Sequence, residues 1–301
     1  PTPTPAPLPT PTPTPSLTPF NSSDYIQLIY NSASEVQIPL MQIGTGGVTV
    51  DYGDGSVNLS TSQQGIYSKS WSSSAKRVIR ITGDLKAFGN FNLTSSASLN
   101  HVIVKGMSTL TDISYMFYNC ENLQSLDVSE FNTINVTNMS NAFYKCKQIT
   151  NIDVSGWNTT NVTNLNATFS WMINLASLDV STWNVSKVED MSQMFLQCRE
   201  LTSLNTDNWD VISTINFKHM FYNCAKLTHL NVVNWDVSNV TGVQYESEMV
   251  GMFGYCYLLT NAKMVFDSWC VGNIATEPTE FAIDAGFTNR PNWGISCDPT
   301  P

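Results

Sequence analysis

The sequence predicts a mostly β protein with a Pro/Thr-rich extended N-terminal segment, a small β-sandwich, and a repeat solenoid closed by a disulfide-stapled C-terminal cap. Three observations predict this fold class. Proline alternates with threonine at the start, short β-branched segments between Gly, Ser and Asn turns follow, and one aromatic position then recurs at a constant interval. The predicted boundaries are 1–20 for the extended segment, 21–95 for the sandwich, 96–264 for the solenoid and 265–301 for the cap and tail.

The extended segment reads PTPTPAPLPTPTPTPSLTP over residues 1–19. Because proline fixes φ and lacks an N–H, this composition predicts a polyproline II rod that cannot join a sheet or a helix. The chain also ends in DPTP, so we expect either one module of a longer tandem protein or a fold with two flexible tails. Threonine beside proline is typical of O-glycosylated stalks, and the candidates are Thr2, Thr4, Thr10, Thr12 and Thr14.

Composition indicates an extracellular or cell-surface protein and argues against two classes of partner. The net charge is -10 with 14 Lys plus Arg, and the basic residues are not clustered, so a nucleic-acid partner is not expected. Charged residues make up 13% of the chain, and Ser, Thr and Asn dominate the polar positions. No apolar run approaches the ~20 residues of a membrane span.

The region after the rod has the pattern of short strands. The runs YIQLIY, VQIPLM, GVTVDYG and KRVIRITG are rich in β-branched and aromatic residues. The turn Gly53-Asp54-Gly55 is similar to the aromatic-Gly-Asp-Gly turn of PKD-type immunoglobulin-like sandwiches, and its glycines suit a tight hairpin. Asp51 and Asp54 could form a calcium loop, but the ligand alternation of an EF-hand is absent, so a plain turn is favoured.

From Leu99 onward the sequence is periodic. One phenylalanine recurs every 26 residues, and the last copy follows after 32 because six residues are inserted. A period in the twenties indicates a solenoid whose coils are individually too small to bury their apolar faces. The recurring residues are Phe117, Phe143, Phe169, Phe195, Phe221 and Phe253.

Each coil also repeats L-x-x-L-x-V followed by an aromatic residue, as in residues 123–131. We expect these side chains to point inward, and parallel strands of successive coils to pair at about 4.8 Å. The fourth coil has Thr206 and Thr214 at two of the inward valine positions. It is therefore expected to be a weak point of the stack.

The pattern MFxxCxxLxxLDVSxWNTxxVTxMS resembles the BspA-like leucine-rich repeat family of surface proteins, also known as the DUF285 or Mycoplasma-lipoprotein-type repeat. The resemblance covers residues 99–297 and includes a similar terminal cap, with Trp269-Cys270 and Trp293-Gly294-x-x-Cys297. It implies a leucine-rich-repeat solenoid in a secreted or cell-surface protein that takes part in adhesion and partner contact. The chain departs from the pattern at Met172 and in the insertion before Phe253, so no functional residue is carried across.

The seven cysteines fall into two groups. Five share one repeated slot with Met172, which favours buried thiols, although neighbours about 5 Å apart could also be bridged. Cys270 and Cys297 flank the irregular cap and are predicted to form a disulfide that staples the open end of the solenoid. The repeated slot holds Cys120, Cys146, Cys198, Cys224 and Cys256, of which the first four are candidates for additional disulfides.

The chain contains ten Asn-x-Ser/Thr sequons. They are N-glycosylation candidates if the host glycosylates asparagine, and turn-forming residues otherwise, with neither interpretation favoured. The candidates are Asn21, Asn58, Asn92, Asn135, Asn138, Asn158, Asn161, Asn166, Asn184 and Asn239.

Catalytic, metal and cofactor motifs are not evident in the sequence. The histidines lack a nucleophile or an acid partner at a recurring offset, and we expect them on the surface; they are His101, His219 and His229. An outward acidic row could bind cations or a basic partner, although a solvated face is the commoner explanation; it comprises Asp127, Asp153 and Asp179. We predict no enzymatic activity, no metal and no cofactor.

These observations predict a non-enzymatic extracellular glycoprotein module, a structural or adhesive building block of a surface layer, appendage or fibre. It would associate with itself, with neighbouring surface proteins or with glycans. The alternative is a ligand-recognition adhesin that binds a protein or glycan and is projected on the Pro/Thr stalk. Its variable outward positions would be Gln124, Asn151, Ser177, Ser203 and His229.

Overall fold

The structure, a computed structural model, describes residues 24–89, 98–241, 248–260, 264, 266 and 269–295. Over these residues the protein is mostly β with almost no helix, and the 3-10 segment Thr61–Gln63 is its short helical element. No helix in the described ranges is long and apolar enough to cross a membrane. Several predicted features lie outside the described residues: the rod with its threonines, the glycosylation candidates Asn21 and Asn92, and Cys297.

The N-terminal sheet is built around one long strand. Strand β1 (Tyr25–Asp51) pairs antiparallel with β2 (Ser56–Leu59), β3 (Gly65–Phe88) and β4 (Leu99–Lys105). The prediction of separate short strands was wrong for this region, because three of the four predicted runs lie within β1. The strand changes direction at register shifts rather than at turns.

Strand β1 bends so far that its two ends flank the same part of β3. Ile26, near the start of β1, and Val50, near its end, both pair with Ile81. All three side chains are buried, so the bent strand encloses its own apolar core. The predicted turn after Tyr52 is present: its N–H donates to the carbonyl of Gly55 at 3.1 Å.

Strand β4 joins the N-terminal sheet to the repeats. One edge of β4 pairs antiparallel with β1, and the other pairs parallel with β5 (Ser125–Asp127) in the first coil. A further parallel bridge joins Ala87 to Asp112. The sheet therefore continues from the N-terminal region into the repeats.

The repeats form a stack of coils, which we call the repeat stack (residues 99–260). Parallel bridges join residues 26 positions apart, in a column formed by Asp112, Asn138, Asn164, Asp190 and Asn216. A second column of parallel pairs includes Asn151 with Ser177, and β6 (Ser203–Leu204) with β7 (His229–Leu230). Each coil thus lies directly on the previous one, as the period predicts.

Strands within the stack are shorter than the sequence predicts, at two or three residues each. The reason is the spacing of corners. In the first coil the carboxylate of Asp127 accepts the N–H of Ser129 at 3.2 Å, and the amide oxygen of Asn132 accepts the N–H of Ile134 at 3.2 Å. Two such Asx turns five residues apart leave little room for a strand between them.

A third Asx turn completes each coil. In the first coil Asp112 accepts the N–H of Ser114 at 2.7 Å, and Asn138 accepts that of Ser140 at 3.0 Å in the next. Successive coils place Asp or Asn at all three corners, because either side chain offers the acceptor oxygen. The high asparagine content of the chain follows from this geometry.

Two aromatic columns fill the stack. The recurring phenylalanines lie 5.6–5.8 Å apart between ring centroids over all five intervals, including the last, where six residues are inserted. The column at the aromatic corner is formed by Phe131, Trp157, Trp183, Trp209, Trp235 and Trp269, all buried. The prediction that these positions point inward is confirmed.

The buried tryptophans also donate hydrogen bonds between coils. Trp157 and Trp183 donate their indole N–H to Val128 and Val154, each at 3.2 Å, and Trp209 donates to Val180 at 3.2 Å. Trp235 is different, because its buried indole N–H has no partner among the described residues. The residue 29 positions earlier, which supplies the acceptor in these coils, is Thr206.

The fourth coil is therefore the place where the stack lacks an inter-coil bond. The second threonine does not add to this, since the Thr214 hydroxyl donates to the carbonyl of Val188 at 2.7 Å. A buried polar group without a partner costs about 1–3 kcal/mol. The indole N–H of Trp235 is a physical reason to expect weakness near this coil, and the weak point stays a prediction.

Replacing Trp235 by phenylalanine should cost less stability than the same change at Trp183. Both side chains are buried and lose the same area, but Trp183→Phe also leaves the carbonyl of Val154 without its indole donor. We expect the free energies of unfolding of the two variants to differ by about 1–2 kcal/mol. Urea titration of both variants measures the difference, and equal losses would contradict the assignment.

Candidate interaction surface on the turn face

The acidic row and the histidines do not converge on a site. Asp179 accepts the N–H of Ser181 at 3.0 Å and its hydroxyl at 2.6 Å, and these bonds lower the pKa of the carboxyl. In later coils Asn205 and Asn231 occupy the same corner, so the negative charge is not required there. No group of three His, Cys, Asp or Glu that could hold a metal occurs in the ranges described.

The histidines lie at three separate places. His101 is half-buried and its ring contacts the Ser125 hydroxyl at 2.9 Å, whereas His229 is exposed on the strand side of the stack. His219 is half-buried and packs edge-on against Tyr222. Burial lowers the pKa of His219, so its ring is neutral near pH 7.

Asp51 and Asp54 form a turn rather than an open ligand set. Asp51 accepts the N–H of Gly53 at 2.8 Å, and Asp54 accepts the indole N–H of Trp71 at 2.7 Å. Lys69 pairs with Asp54 at 3.5 Å. These contacts support the plain-turn interpretation.

The five thiols of the repeated slot are free and buried. Cys146 donates its S–H to the carbonyl of Phe117 at 3.3 Å, and Cys198 donates to Phe169 at 3.1 Å. The alternative of bridges between Cys120 and Cys146, and between Cys198 and Cys224, is not what the structure shows, since all four thiols are free and three of them donate to a backbone carbonyl. Met172 occupies the same slot and is also buried, as expected of a packing position.

Cys270 is disulfide-bonded. The predicted partner, Cys297, lies outside the described residues, so their pairing stays a prediction.

The described sequons are engaged in the stack to different degrees. Asn135 and Asn161 donate their amide N–H to the preceding coil at 2.8 and 3.0 Å, and Asn239 does the same at 2.7 Å. Asn158 and Asn184 form the same Asx corner as Asn132, and Asp takes that place at Asp210 and Asp236. These contacts supply a structural reason for the asparagines, and their glycosylation stays a prediction.

The remaining side of the stack, which we call the turn face, has an unusual backbone. It consists of the segments 114–119, 140–145, 166–171, 192–197, 218–223 and 250–255, all formed by turns. Alternate N–H groups point to the next coil: Phe117 donates to the carbonyl of Ala142 at 2.7 Å, whereas Tyr118 donates to Tyr115 within its own turn at 3.2 Å. The turn face is thus a ladder of hydrogen-bonded turns.

This ladder holds two residues per coil in the left-handed region of φ. In the first coil they are Tyr115 and Asn119, with φ of 57° and 60°. In the third coil they are Ala167 and Trp171, with φ of 52° and 61°. Such conformations cost roughly 1–2 kcal/mol for residues other than glycine. The cost is tolerated because each turn is held on both sides by neighbouring coils.

Aromatic side chains line the turn face. Tyr118 and Tyr144 stack with centroids 4.8 Å apart, and Tyr222 packs edge-on against Tyr255 at 5.1 Å. Trp171 lies on the coil between these two pairs and is partly exposed. Burial is the largest cause that raises the pKa of Tyr222 to about 12, so its hydroxyl remains a hydrogen-bond donor throughout the physiological range.

The six segments of the turn face contribute no carboxylate of their own, although Glu280 accepts the Tyr222 hydroxyl at 3.4 Å and Glu248 pairs with Lys218 at 3.6 Å. Its six segments contain two lysines and no Asp or Glu, although the chain has 24 acidic residues and a net charge of -10. Asparagine, glutamine and serine supply its other polar groups. Tyr and Trp among small polar and amide side chains, with few charges, are typical of surfaces that bind partners.

A cavity of about 320 Å³ lies at the N-terminal end of this surface, where the first coil meets the sheet. Its lining includes Met41, Phe88 and Tyr115, and both Met41 and Tyr115 are more than 40% exposed, at 42% and 43%. The apolar surface therefore continues onto the N-terminal sheet through Met41.

Sequence reasoning placed the ligand surface elsewhere, on the strand side with residues such as His229. The signal for the turn face was nonetheless present. In FYNC and FYKC the Phe and Cys point inward, so the residues between them, such as Tyr118 and Tyr144, must point outward.

Four overlapping stretches of the chain match one protein family, described as "Mycoplasma protein of unknown function, DUF285": residues 89–177, 111–229, 141–256 and 172–290. Together they span 89–290, more than half of the 301 residues. The chain belongs to the DUF285 family. The matches overlap because a tandem repeat lets the family pattern begin on successive coils. No curated protein and no solved structure gives a significant match.

The DUF285 region coincides with the repeat stack and the cap that follows it. It begins at residue 89, directly after β3, so the long strands β1 and β3 lie outside the family match. The turn face lies wholly inside it. The interaction surface is therefore a feature of the DUF285 part of the chain.

Proposed function

We propose that this DUF285 protein is a non-enzymatic extracellular module, a structural or adhesive building block of a surface layer, appendage or fibre. The observation that carries the proposal is the turn face, a row of partly exposed aromatic side chains on stacked segments that contain no Asp or Glu. A rigid stack with such a row suits repeated lateral contact better than catalysis. The surface location follows from the composition and from the family resemblance.

We also propose a more specific assignment of the fold. The repeat stack is interpreted as a leucine-rich-repeat solenoid, with the sheet of β1–β4 as a PKD-like domain and a disulfide-stapled cap at the end. The bent strand β1, whose ends flank β3, supports a small closed sheet of this kind. The bonded state of Cys270 supports the cap.

The full chain is expected to associate in a concentration-dependent manner. Aromatic rings on a surface with few charges gain free energy when a partner covers them. Sedimentation velocity over a broad concentration range, together with negative-stain imaging, measures this association. Monodisperse monomers at every concentration would contradict the assembly proposal.

The second candidate is a ligand-recognition adhesin, and the turn face favours it as well. Tyr and Trp beside amide side chains can bind glycans or proteins without a charged pocket. Binding of the full chain to a glycan array, lost on substitution of Trp171, would favour this function over assembly. Hydrolase activity abolished by changing one carboxylate would contradict both.

A further inference from the structure

We infer that the turn face is the docking site for the Pro/Thr segment, residues 1–19, of a second copy of this chain. This inference rests on the proposed self-association and names the two surfaces that would form it. Three independent observations support it: the chemistry of the face, the length of the segment, and the place where the segment joins the fold.

The first observation is chemical complementarity. Proline-rich polyproline II segments bind grooves lined by aromatic side chains, because the proline rings pack on the aromatic rings and the segment is already extended. The turn face presents Tyr118, Tyr144, Trp171, Tyr222 and Tyr255 along the stack. Residues 1–19 contain no charged residue, and the six segments of the face contain no carboxylate and two lysines, so contact between them covers few charges.

Hydrogen bonding points the same way. Prolines remove N–H donors from the segment but leave every carbonyl as an acceptor. The turn face supplies donors of the matching kind in its tyrosine hydroxyls and in the ammonium of Lys145, which lies 5.2 Å from the ring centroid of Tyr144. Several of its asparagine amides already donate between coils, as from Asn141 to Asn166 at 3.3 Å. A partner with many acceptors and few donors therefore fits this face.

The second observation is length. A polyproline II segment rises about 3.1 Å per residue, so 19 residues extend on the order of 60 Å. The phenylalanine column beneath the turn face has five intervals of 5.6–5.8 Å, hence spans about 28 Å. The segment is therefore long enough to cover the whole face.

The third observation decides between the same chain and a second copy. The described chain begins at Asp24 and Tyr25, and Tyr25 pairs with Lys105. The neighbouring Gly106 pairs with Phe131, which lies 14 of 26 residues along the coil from Phe117. The described chain therefore begins about half a coil away from the turn face. The polyproline II rod predicted for residues 1–19 would reach a neighbouring copy more readily than its own face.

The test uses the full chain and substitutions borrowed from its own repeats. Tyr144→Ser copies Ser170 of the next coil, and Trp171→Asn copies Asn119 and Asn223. Asparagine also tolerates the left-handed φ of 61° at Trp171. The control is His229→Ser on the strand side, which copies Ser203. Thermal unfolding followed by circular dichroism verifies that each variant is folded.

Sedimentation velocity should show an association constant about tenfold or more weaker for the double variant, and an unchanged one for the control. An excess of a peptide with the sequence of residues 1–19 should dissociate the wild-type assembly, and the same peptide with every proline replaced by alanine should not. Wild-type association that neither the double variant nor the peptide alters would overturn this inference and leave the assembly proposal standing. A wild-type chain that remains monomeric would overturn both.

Discussion

Replacing Phe169 by alanine is expected to lower the free energy of unfolding by about 3–5 kcal/mol, the usual cost of a large cavity in a core. Phe169 is fully buried at the middle of the phenylalanine column. Its ring stacks on Phe143 at 5.6 Å and on Phe195 at 5.8 Å, with interplanar angles of 7° and 6°. The change therefore removes contacts on both faces of the ring and weakens two inter-coil interfaces together.

Chemical unfolding in urea, monitored by tryptophan fluorescence, measures this loss. The matched control is Ile215→Ala, since Ile215 is 51% exposed and its truncation should change stability by no more than about 0.5 kcal/mol. A loss at Phe169 similar to that of the control would mean that the coils do not share a continuous core.

Raising the pH above 9 is expected to destabilise the protein steeply, because five buried thiols must stay neutral in the folded state. Burial raises the pKa of Cys198 and of Cys256 from 9.0 to about 12, and raises those of the other three thiols in the same direction. When folding raises the pKa of a group, the stability that its neutral form contributes is fully present at pH values below its pKa in the unfolded chain. That contribution is lost as the pH rises above 9, where only the unfolded chain releases its protons.

Above pH 9 the free energy of unfolding is expected to fall by about 1.4 kcal/mol per pH unit for each thiol. The five thiols together should therefore lower it by several kcal/mol at pH 10. Urea midpoints between pH 7 and pH 10 measure it, below the range in which tyrosines contribute strongly. The variant Cys198→Ala lacks one of the five thiols and should show a slope about one fifth smaller. A stability that stays constant from pH 7 to pH 10 would show that the thiols are not buried as a set.

Free thiols of this kind are expected to be inert in the folded protein. A thiolate is the reactive form, and the buried slot suppresses it at neutral pH. The slot accepts Met172 as well as the five cysteines, because both side chains are polarizable and fill the space under the turn face. The repeated cysteines are therefore best understood as core residues.

The sequence alone determined the stack and its interior. A period of 26 residues requires each coil to bury its apolar face against the next, so the same positions hold inward apolar residues in every coil. Leu123, Val128, Phe117 and the cysteine slot are buried as the pattern predicts. These positions were predictable because an apolar residue repeated at one place in every coil has no other stable location.

The N-terminal sheet was only partly predictable. Its strand residues were recognised, but the merging of three runs into β1 was not, since Gly44, Gly46 and Gly47 suggested turns. Whether a glycine ends a strand or permits a bulge depends on the partner strand, here β3, which lies about 40 residues further along the chain.

The tertiary structure alone decided which side of the stack carries the interaction surface. Phe117 and Tyr118 are neighbours of similar character, yet the first is buried and the second lies on the turn face. The two side chains point in opposite directions because inter-coil hydrogen bonds hold the turn with Tyr115 and Asn119 at positive φ. This backbone conformation rotates alternate side chains outward. A bond between residues 25 positions apart sets that rotation. The Phe-x-x-Cys spacing places Tyr118 outward, but which side of the stack the outward aromatic residues line depends on how the coils pair.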